Sequence, residues 1–515
     1  MVLKFSSDIV IVGAGTSGCV AATRLVGAGF KVILIDAGPD FGHSDQGNWP
    51  NEITNEKFMG EDTSFDWGYT AQLGLKEKRY LRGKVFGGSS AINASGINWG
   101  LKSDYDRWSE YGIEGWQFND LLPYFHKVEN LQDLENADAE RGTNGQIRVT
   151  RQNPDQEYFK DFEKSCKKLD LDYIDASGPE SAQGYGYVTR NVSDGIRQNP
   201  AQSYLDEIRL NKNFTILDMS EVININWHDN RATGLEITRK GELINIKSSQ
   251  IILCAGAVGS PILLQRSGIG PRYILDKLGF NANNSKVLNG VGENLQDHFG
   301  IRYSFKASPY ALKNIQWDKG GSIRIRLKQF QEDTGHNLTF SSALSPFASN
   351  GKTTASKFFH SIVWLVQPKS KGNIFINSKD NSLNPTINFN FGSSHDEDIK
   401  SILYGLEWSR EFVQSSPINK WISNMHIPSD HCNAAELMNW IQNNLSFYYH
   451  MVGTCRMGAQ NDPQSVVNDQ GLVNGFDNLY IFDASVMPKI PRGMLNLTVF
   501  AIAEKMSSML IQSIG

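Results

Sequence analysis

The sequence predicts an α/β protein (α+β overall), in which a doubly wound domain carries a second domain built on an antiparallel sheet with helices. Three observations lead there. The chain opens on strand, glycine-rich turn, helix and strand, and residues 300–395 alternate apolar and polar side chains. At 515 residues it also exceeds the size at which a single core stops growing, so two domains are expected.

Residues 8–12 (DIVIV) form a short β-branched run, and Gly13-Ala14-Gly15-Thr16-Ser17-Gly18 follows at once. Residues 19–26 read as an apolar helical stretch, and 31–35 (KVILI) as a second strand ending at Asp36. Strand, GxGxxG, helix, strand, acid is the order of a Rossmann-like dinucleotide-binding unit. Gly13 permits the tight turn, Gly15 lets a pyrophosphate approach the backbone, and Gly18 lets the helix pack against the strand. The helix start offers unpaired N–H groups and a positive dipole end to phosphates. Asp36 is placed to accept hydrogen bonds from the adenosine ribose hydroxyls.

Composition narrows the function classes. Hydrophobic residues at 40%, charged residues at 20% and a net charge of −5 give no electrostatic case for nucleic acid or an anionic membrane. The five cysteines (Cys19, Cys166, Cys254, Cys432 and Cys455) are scattered and lack CxxC spacing. They argue against a disulfide framework or zinc site and fit a reducing compartment, with the cytoplasm as default. No run of about eighteen apolar residues marks a membrane span. The first strand begins too early to leave room for a signal peptide. No metal-ligand spacing such as HExxH occurs, so no metal is expected.

Along the chain, residues 38–70 read as loops, 104–108 and 116–129 as helices, and 201–210 as a helix. Residues 214–223, 232–237 and 243–254 read as strands. The alternation in 323–327, 360–366 and 374–377 is the pattern of an antiparallel sheet with one face exposed. From 396 to 445 the pattern turns helical, then comes a strand at 479–482 and a last helix at 497–514. The order implies a discontinuous cofactor domain, residues 1–150, 195–300 and 450–515. A substrate-binding domain of 151–194 and 301–449 is inserted into it.

Eight blocks then stand in sequence: VIVGAGTSG at 10–18, RGKVFGGSSAIN at 82–93, GIRQNPAQSYL at 195–205 and GAVGSPILLQRSGIGP at 256–271. GVGENLQDH at 290–298, PKSKGNI at 368–374, YHMVGTCRMG at 449–458 and NLYIFDASVMPKIP at 478–491 complete the series. Together they span nearly the whole chain, which resembles the glucose–methanol–choline (GMC) family of FAD-dependent alcohol oxidoreductases.

The resemblance implies FAD, extended, with its isoalloxazine ring at the domain boundary. The family's cofactor contacts carry over to Gly13, Gly15, Gly18 and Asp36, where the family usually has Glu. They carry over also to Gly88, Ser89 and Asn93 near the flavin, Val222 near the adenine, and Asp483 and Ala484 near the ribityl–phosphate. Thr16, Ser17, Ala37, Arg82, Val85, Ala255, Asn496, Leu497 and Thr498 complete the implied set. Some relatives hold FAD covalently through a histidine just before the Asn of the GGSS block. That position is Ile92 here, so non-covalent FAD is expected.

Oxidising an alcohol to a carbonyl requires removal of the O–H proton and transfer of the Cα hydride to the cofactor. A base titrating near neutrality and a donor for the alkoxide oxygen serve these ends. His450 matches the family's active-site histidine, and Asn496 its second position, occupied by Asn or His. His298, in the NLQDH block, reads as a residue that holds a loop. Ile97, Asn98, Trp364, Tyr448 and Tyr449 are candidate substrate contacts, suited to a flat or apolar primary alcohol. The implied partners are a small alcohol and an electron acceptor, oxygen or quinone-like. Two other chemistries occur on the family's fold: hydroxynitrile-lyase-type acid–base catalysis and light-driven fatty acid decarboxylation.

Overall fold

The computed structural model describes all residues except 1–4, 57–62, 75, 136, 152–154, 181, 316–320, 330–334, 345–357, 392–395 and 430–431. In chain order, the elements that position the site begin with β1 (Phe5–Val12), α1 (Thr16–Gly27), β2 (Val32–Ile35), β3 (Gly184–Tyr187) and β4 (Phe214–Leu217). They continue with β5 (Ser220–His228), β6 (Arg231–Arg239), β7 (Glu242–Leu253), β8 (Phe299–Ala307), β9 (Gly321–Leu327) and β10 (Leu338–Leu344). β11 (Phe358–Leu365), α2 (Asp396–Gln414), β12 (Ile422–Ile427), α3 (Ala434–Asn444), β13 (Leu445–Phe447), β14 (Leu479–Ile481) and α4 (Leu495–Ile514) complete the set.

The first sheet has the order β4-β2-β1-β7-β6-β5, with β14 also paired to β7. β1 pairs in parallel with β2 and β7, β2 with β4, and β7 with β14. Parallel strands are covered on both faces and read as unbroken apolar runs. Accordingly Ile9, Val10, Ile11, Leu34, Ile35, Ile251, Ile252 and Leu253 are fully buried. α4 packs on this sheet beside α1, tied by Arg24, whose Nε and Nη2 donate to the buried Glu504 carboxylate at 2.8 and 2.7 Å.

The second sheet, order β12-β8-β11-β10-β9-β3 with β13 against β8, is antiparallel throughout. One face, with Ile301, Tyr303, Ile323, Ile325, Phe340 and Val363, joins a second core cluster packed with Ile399, Ile402 and Leu406 of α2. The opposite face is where expectation and structure differ. Only part of it meets bulk solvent: Arg302, Lys306 and His360 are exposed as expected, whereas Arg324 is 5% and Arg326 1% exposed. The alternation is real, but this face roofs an internal cavity and packs on the first sheet's domain.

Other boundaries shift for physical reasons. The expected strand 214–223 breaks at Met219, whose φ of 47° turns the chain between β4, parallel to β2, and β5, antiparallel to β6. The expected helix 201–210 is two short turns, Pro200–Ser203 and Leu205–Glu207. Between them Tyr204 ends one turn and begins the other and stacks on Phe500 of α4. The stretch 396–445 holds β12 between its two helices, an edge strand bonded to β8.

Candidate active site

The GxGxxG turn is built on close backbone approach. Gly13 has φ 100°, and a Cβ there would lie 2.5 Å from the Cys254 carbonyl oxygen. A Cβ on Gly18 would lie 1.8 Å from the Gly13 carbonyl oxygen, so α1 can seat on β1 only with glycine. The second glycine-rich segment rests on the first: a Cβ on Gly88 (φ 56°) would meet Gly15 Cα at 2.8 Å. Gly15 caps α1 without a side-chain bond, which leaves first-turn N–H groups for a ligand. Asp36 accepts from Ala14 N and Gly38 N, each at 2.7 Å, so it braces the turn as well as facing the cavity. Burial pushes its carboxyl up to about 6. Asp483 accepts from Gly256 N, Ser260 Oγ and Ser485 N at 2.9, 2.5 and 2.9 Å.

These segments open into a cavity of about 870 Å³ that extends to His450 and Asn496, toward the upper end of the size usual for one ligand. It lies beyond the carboxyl ends of β1 and β2, where open α/β sheets bind ligands.

His450 is fixed from three sides. Its backbone N donates to Asp297 Oδ1 at 2.7 Å, and its ring lies 4.3 Å from the Tyr448 ring at 30°. Its Nδ1 stands 2.9 Å from Nδ1 of His298, so one imidazole donates and the other accepts. Burial, then the His298, Arg82 and Arg324 charges, hold His450 well below the usual histidine range. Burial takes His298 down to about 3, against the Pro491 and Val366 carbonyls, which favour a proton. Both rings are therefore neutral at pH 7. Asp297 accepts from Tyr80 OH at 2.7 Å, and burial pushes its carboxyl up to about 7. Arg82 Nη2 donates to Tyr80 OH and the Tyr449 carbonyl, both at 2.7 Å.

Asn496, in the first turn of α4, accepts through Oδ1 from Ser90 Oγ at 2.6 Å and Thr16 Oγ1 at 3.1 Å. Its Nδ2 is buried without a partner among the described residues. Overhead, Trp364 of β11 stacks on Tyr448 at 4.1 Å and 7°. Gly300, opposite Trp364 on β8, allows this, since a Cβ there would stand 2.5 Å from the indole.

Of the residues singled out from sequence, His450, Asn496, Trp364, Tyr448 and Tyr449 line this one cavity. So do Gly13, Gly15, Thr16, Ser17, Asp36 and Ala37, together with Arg82, Gly88, Ser89, Asn93, Val222, Ala255, Asp483 and Ala484. Gly18, Val85, Leu497 and Thr498 are absent from its wall. Val85 and Leu497 are fully buried, and Thr498 bonds Tyr105 OH at 2.8 Å. Ile97 is corrected from substrate contact to core: it is fully buried, with its N–H on the Thr189 carbonyl at 3.0 Å. Asn98 accepts from Met494 N at 2.7 Å, bracing the approach to α4. His298, read as a loop holder, touches His450 instead. Sequence reasoning missed Tyr80, Ser90, Arg302 and Arg324; for the last, its place on a polar face was the only signal.

Comparison with known proteins supplies the context. Two family models, both described as GMC oxidoreductase, match residues 7–300 and 368–503. The chain is 29% identical to an oxygen-dependent choline dehydrogenase of Photobacterium profundum, across 97% of this chain and 92% of that one. A crystal structure of pyridoxine 4-oxidase from Mesorbium loti superposes with a TM-score of 0.85 at 28% identity, covering 98% of each chain. A fungal aryl-alcohol oxidase shares the fold, with a TM-score of 0.83 at 20% identity over 99% of this chain and 100% of that one.

Proposed function

This chain belongs to the GMC oxidoreductase family, FAD-dependent enzymes acting on CH–OH donors, and from that premise we propose that it oxidises a small primary alcohol, aryl or heteroaryl, with His450 as the base. The supporting observation is that His450 and Asn496 share one cavity with the GxGxxG turn.

The residues fit FAD. Glycine is sterically required at positions 13 and 88 of the cavity wall, where the backbone would cradle a pyrophosphate, and at 18, where it seats α1 on β1 so that the N–H groups at the start of α1 border the same space. When bound, FAD supplies the hydride acceptor.

His450 takes the O–H proton. Its Nδ1 is engaged by His298 Nδ1 at 2.9 Å, and the base role belongs to the tautomer in which His298 carries its proton on Nε2. His298 Nδ1 then accepts, His450 Nδ1–H donates, and His450 Nε2 is left unprotonated as the base. The unpartnered Nδ2 of Asn496 donates to the substrate oxygen as it gains negative charge. Trp364, Tyr448 and Tyr449 make the cavity aromatic near His450, which suits an aromatic alcohol, the kind of substrate named in two relatives, pyridoxine and aryl alcohols.

Anaerobic challenge of the holoenzyme with benzylic, furfuryl, pyridoxine-type, aliphatic and choline alcohols tests this. Bleaching of flavin absorbance by the aromatic group is expected, and readmitting air separates oxygen from other acceptors by the speed of recolouring. His450→Ala should lower kcat about 10²–10⁴-fold with FAD retained; a variant keeping a tenth of the wild-type rate would remove His450 from the base role.

A further inference from the structure

The polar face of the second sheet carries a buried cation with no anion to answer it. Arg324 projects from β9 into the cavity wall and is 5% exposed. Its Nη2 donates to Tyr448 OH at 3.2 Å, and its Nε has no partner. Among the described residues no carboxylate lies within ion-pairing distance of it. Its neighbours are arranged differently. Arg492 is paired with Asp104 at 2.7 Å, and Arg326 donates to the Gly178 and Glu180 carbonyls at 2.7 and 2.6 Å.

A buried guanidinium is costly unless an anion or a full set of acceptors compensates it. Here the open side of that guanidinium is the substrate end of the cavity. The carboxylates in the cavity wall (Asp36, Glu56, Glu221 and Asp483) lie elsewhere. Asp36 and Asp483 bond the glycine-rich turns, Glu56 pairs with Arg190 at 2.7 Å, and Glu221 is on β5 of the first sheet. The face of β8, β11, β10 and β9 that roofs the cavity presents Arg302, Ile362, Trp364, Ser341, Ser322 and Arg324, two cations and no acid.

We propose that the substrate is an alcohol bearing a carboxylate, its anion bound by Arg324 and its hydroxyl end at His450. This rests on the alcohol-oxidation reading and narrows it. Arg324 and His450 both touch Tyr448, the guanidinium at its hydroxyl and the imidazole on its ring face, so the two groups lie in one part of the cavity. The arginine fork is suited to a carboxylate. Arg302, on β8 with its guanidinium 5.9 Å from the Trp364 ring, is exposed and three strands away from β9. It attracts the same charge at the entrance rather than holding it. In the reaction R–CH₂OH becomes R–CHO: the hydride, with both electrons, goes to the family's FAD and the O–H proton to His450, while the carboxylate is unchanged. The same face repels a quaternary ammonium, which sets this pocket apart from the substrate named in the choline dehydrogenase relatives.

The test uses holoenzyme and two separate readouts. Benzoate and its neutral isostere benzamide are titrated against flavin absorbance to give dissociation constants without turnover. Then 4-(hydroxymethyl)benzoate, benzyl alcohol and 4-(trimethylammoniomethyl)benzyl alcohol are compared by kcat/KM. Benzoate should bind at least about tenfold more tightly than benzamide, and kcat/KM should fall in the order anion, neutral, cation. Arg324→Gln should bring the benzoate-to-benzamide ratio within about threefold, and Arg324→Lys should recover part of it. If Arg324→Gln fails to bind FAD, the Lys variant and the wild-type ratio still decide. A wild-type ratio near one, or a ratio unchanged in Arg324→Gln, would overturn the proposal. Benzoate preference without oxidation of any alcohol would sink the alcohol-oxidation reading and leave an anion site. Oxidation without charge preference would do the reverse.

Discussion

His298 meets His450 through a single 2.9 Å contact between like nitrogens, and the tautomer His298 takes there sets which nitrogen of His450 is free. A partner that only filled space would affect packing, whereas one that sets a tautomer affects the chemical step. His298→Ala should therefore lower kcat about tenfold or more while changing KM little; a rise in KM alone would assign His298 to packing. The pH profile carries a second prediction. Both imidazoles are held below the ordinary histidine value, so the base stays unprotonated as pH falls. Accordingly no histidine limb should appear in kcat/KM between pH 8 and about 6, where an ordinary histidine, pKa near 6.5, protonates; a limb near 7 belongs to Asp297 and should vanish in Asp297→Asn. An acid limb centred at or above about 6.5 that persists in that variant would contradict the burial argument. His450 and Asn496 were legible in sequence because each sits in a motif whose chemistry constrains residue type. His298 lay in such a motif without a role. Arg324 had none, because whether a polar strand residue faces water or a cavity is decided by what folds over it.

At the level of elements, the opening βαβ unit was readable because its glycines answer to local geometry: a positive φ at Gly13 and a carbonyl under Gly18. Gly18→Ala should accordingly push α1 off β1, lowering stability by about 2 kcal/mol or more. It should also yield protein with little bound FAD, read from the ratio of flavin to protein absorbance. Full yellow colour in that variant would mean the turn tolerates what the backbone contact forbids. The antiparallel sheet was readable from alternation alone, but not the surroundings of its polar face. β12 escaped notice because it is a short edge strand between two helices, and its pairing with β8 comes from distant sequence. The break at Met219 was equally hidden, since a non-glycine residue at positive φ leaves little compositional signal.

For the whole molecule, the cavity joins two cores: the first sheet supplies its glycine-rich floor and the second its aromatic and cationic roof. A cofactor spanning both stabilises the folded state in proportion to its binding, about 4 kcal/mol at a thousandfold excess over Kd. Ile92, in the cavity wall at the position of the covalent histidine in some relatives, has a hydrocarbon side chain. Acid precipitation should thus leave the yellow colour in the supernatant, whereas colour in the pellet would reveal attachment elsewhere. The first sheet also sets a constraint on timing. Its strands run from Phe5–Val12 to Leu479–Ile481, and Asn496 comes only after the last of them, on the helix that Glu504 ties back to Arg24. A nascent chain emerging amino end first has β1 and the glycine turn in hand long before β14 and the closing helix, which follow β7 only after the whole second sheet. Domains that fold as units during translation gain no such protection here. The ribosome therefore delivers a half-built nucleotide sheet whose apolar surface needs shielding until β14 and the closing helix have emerged.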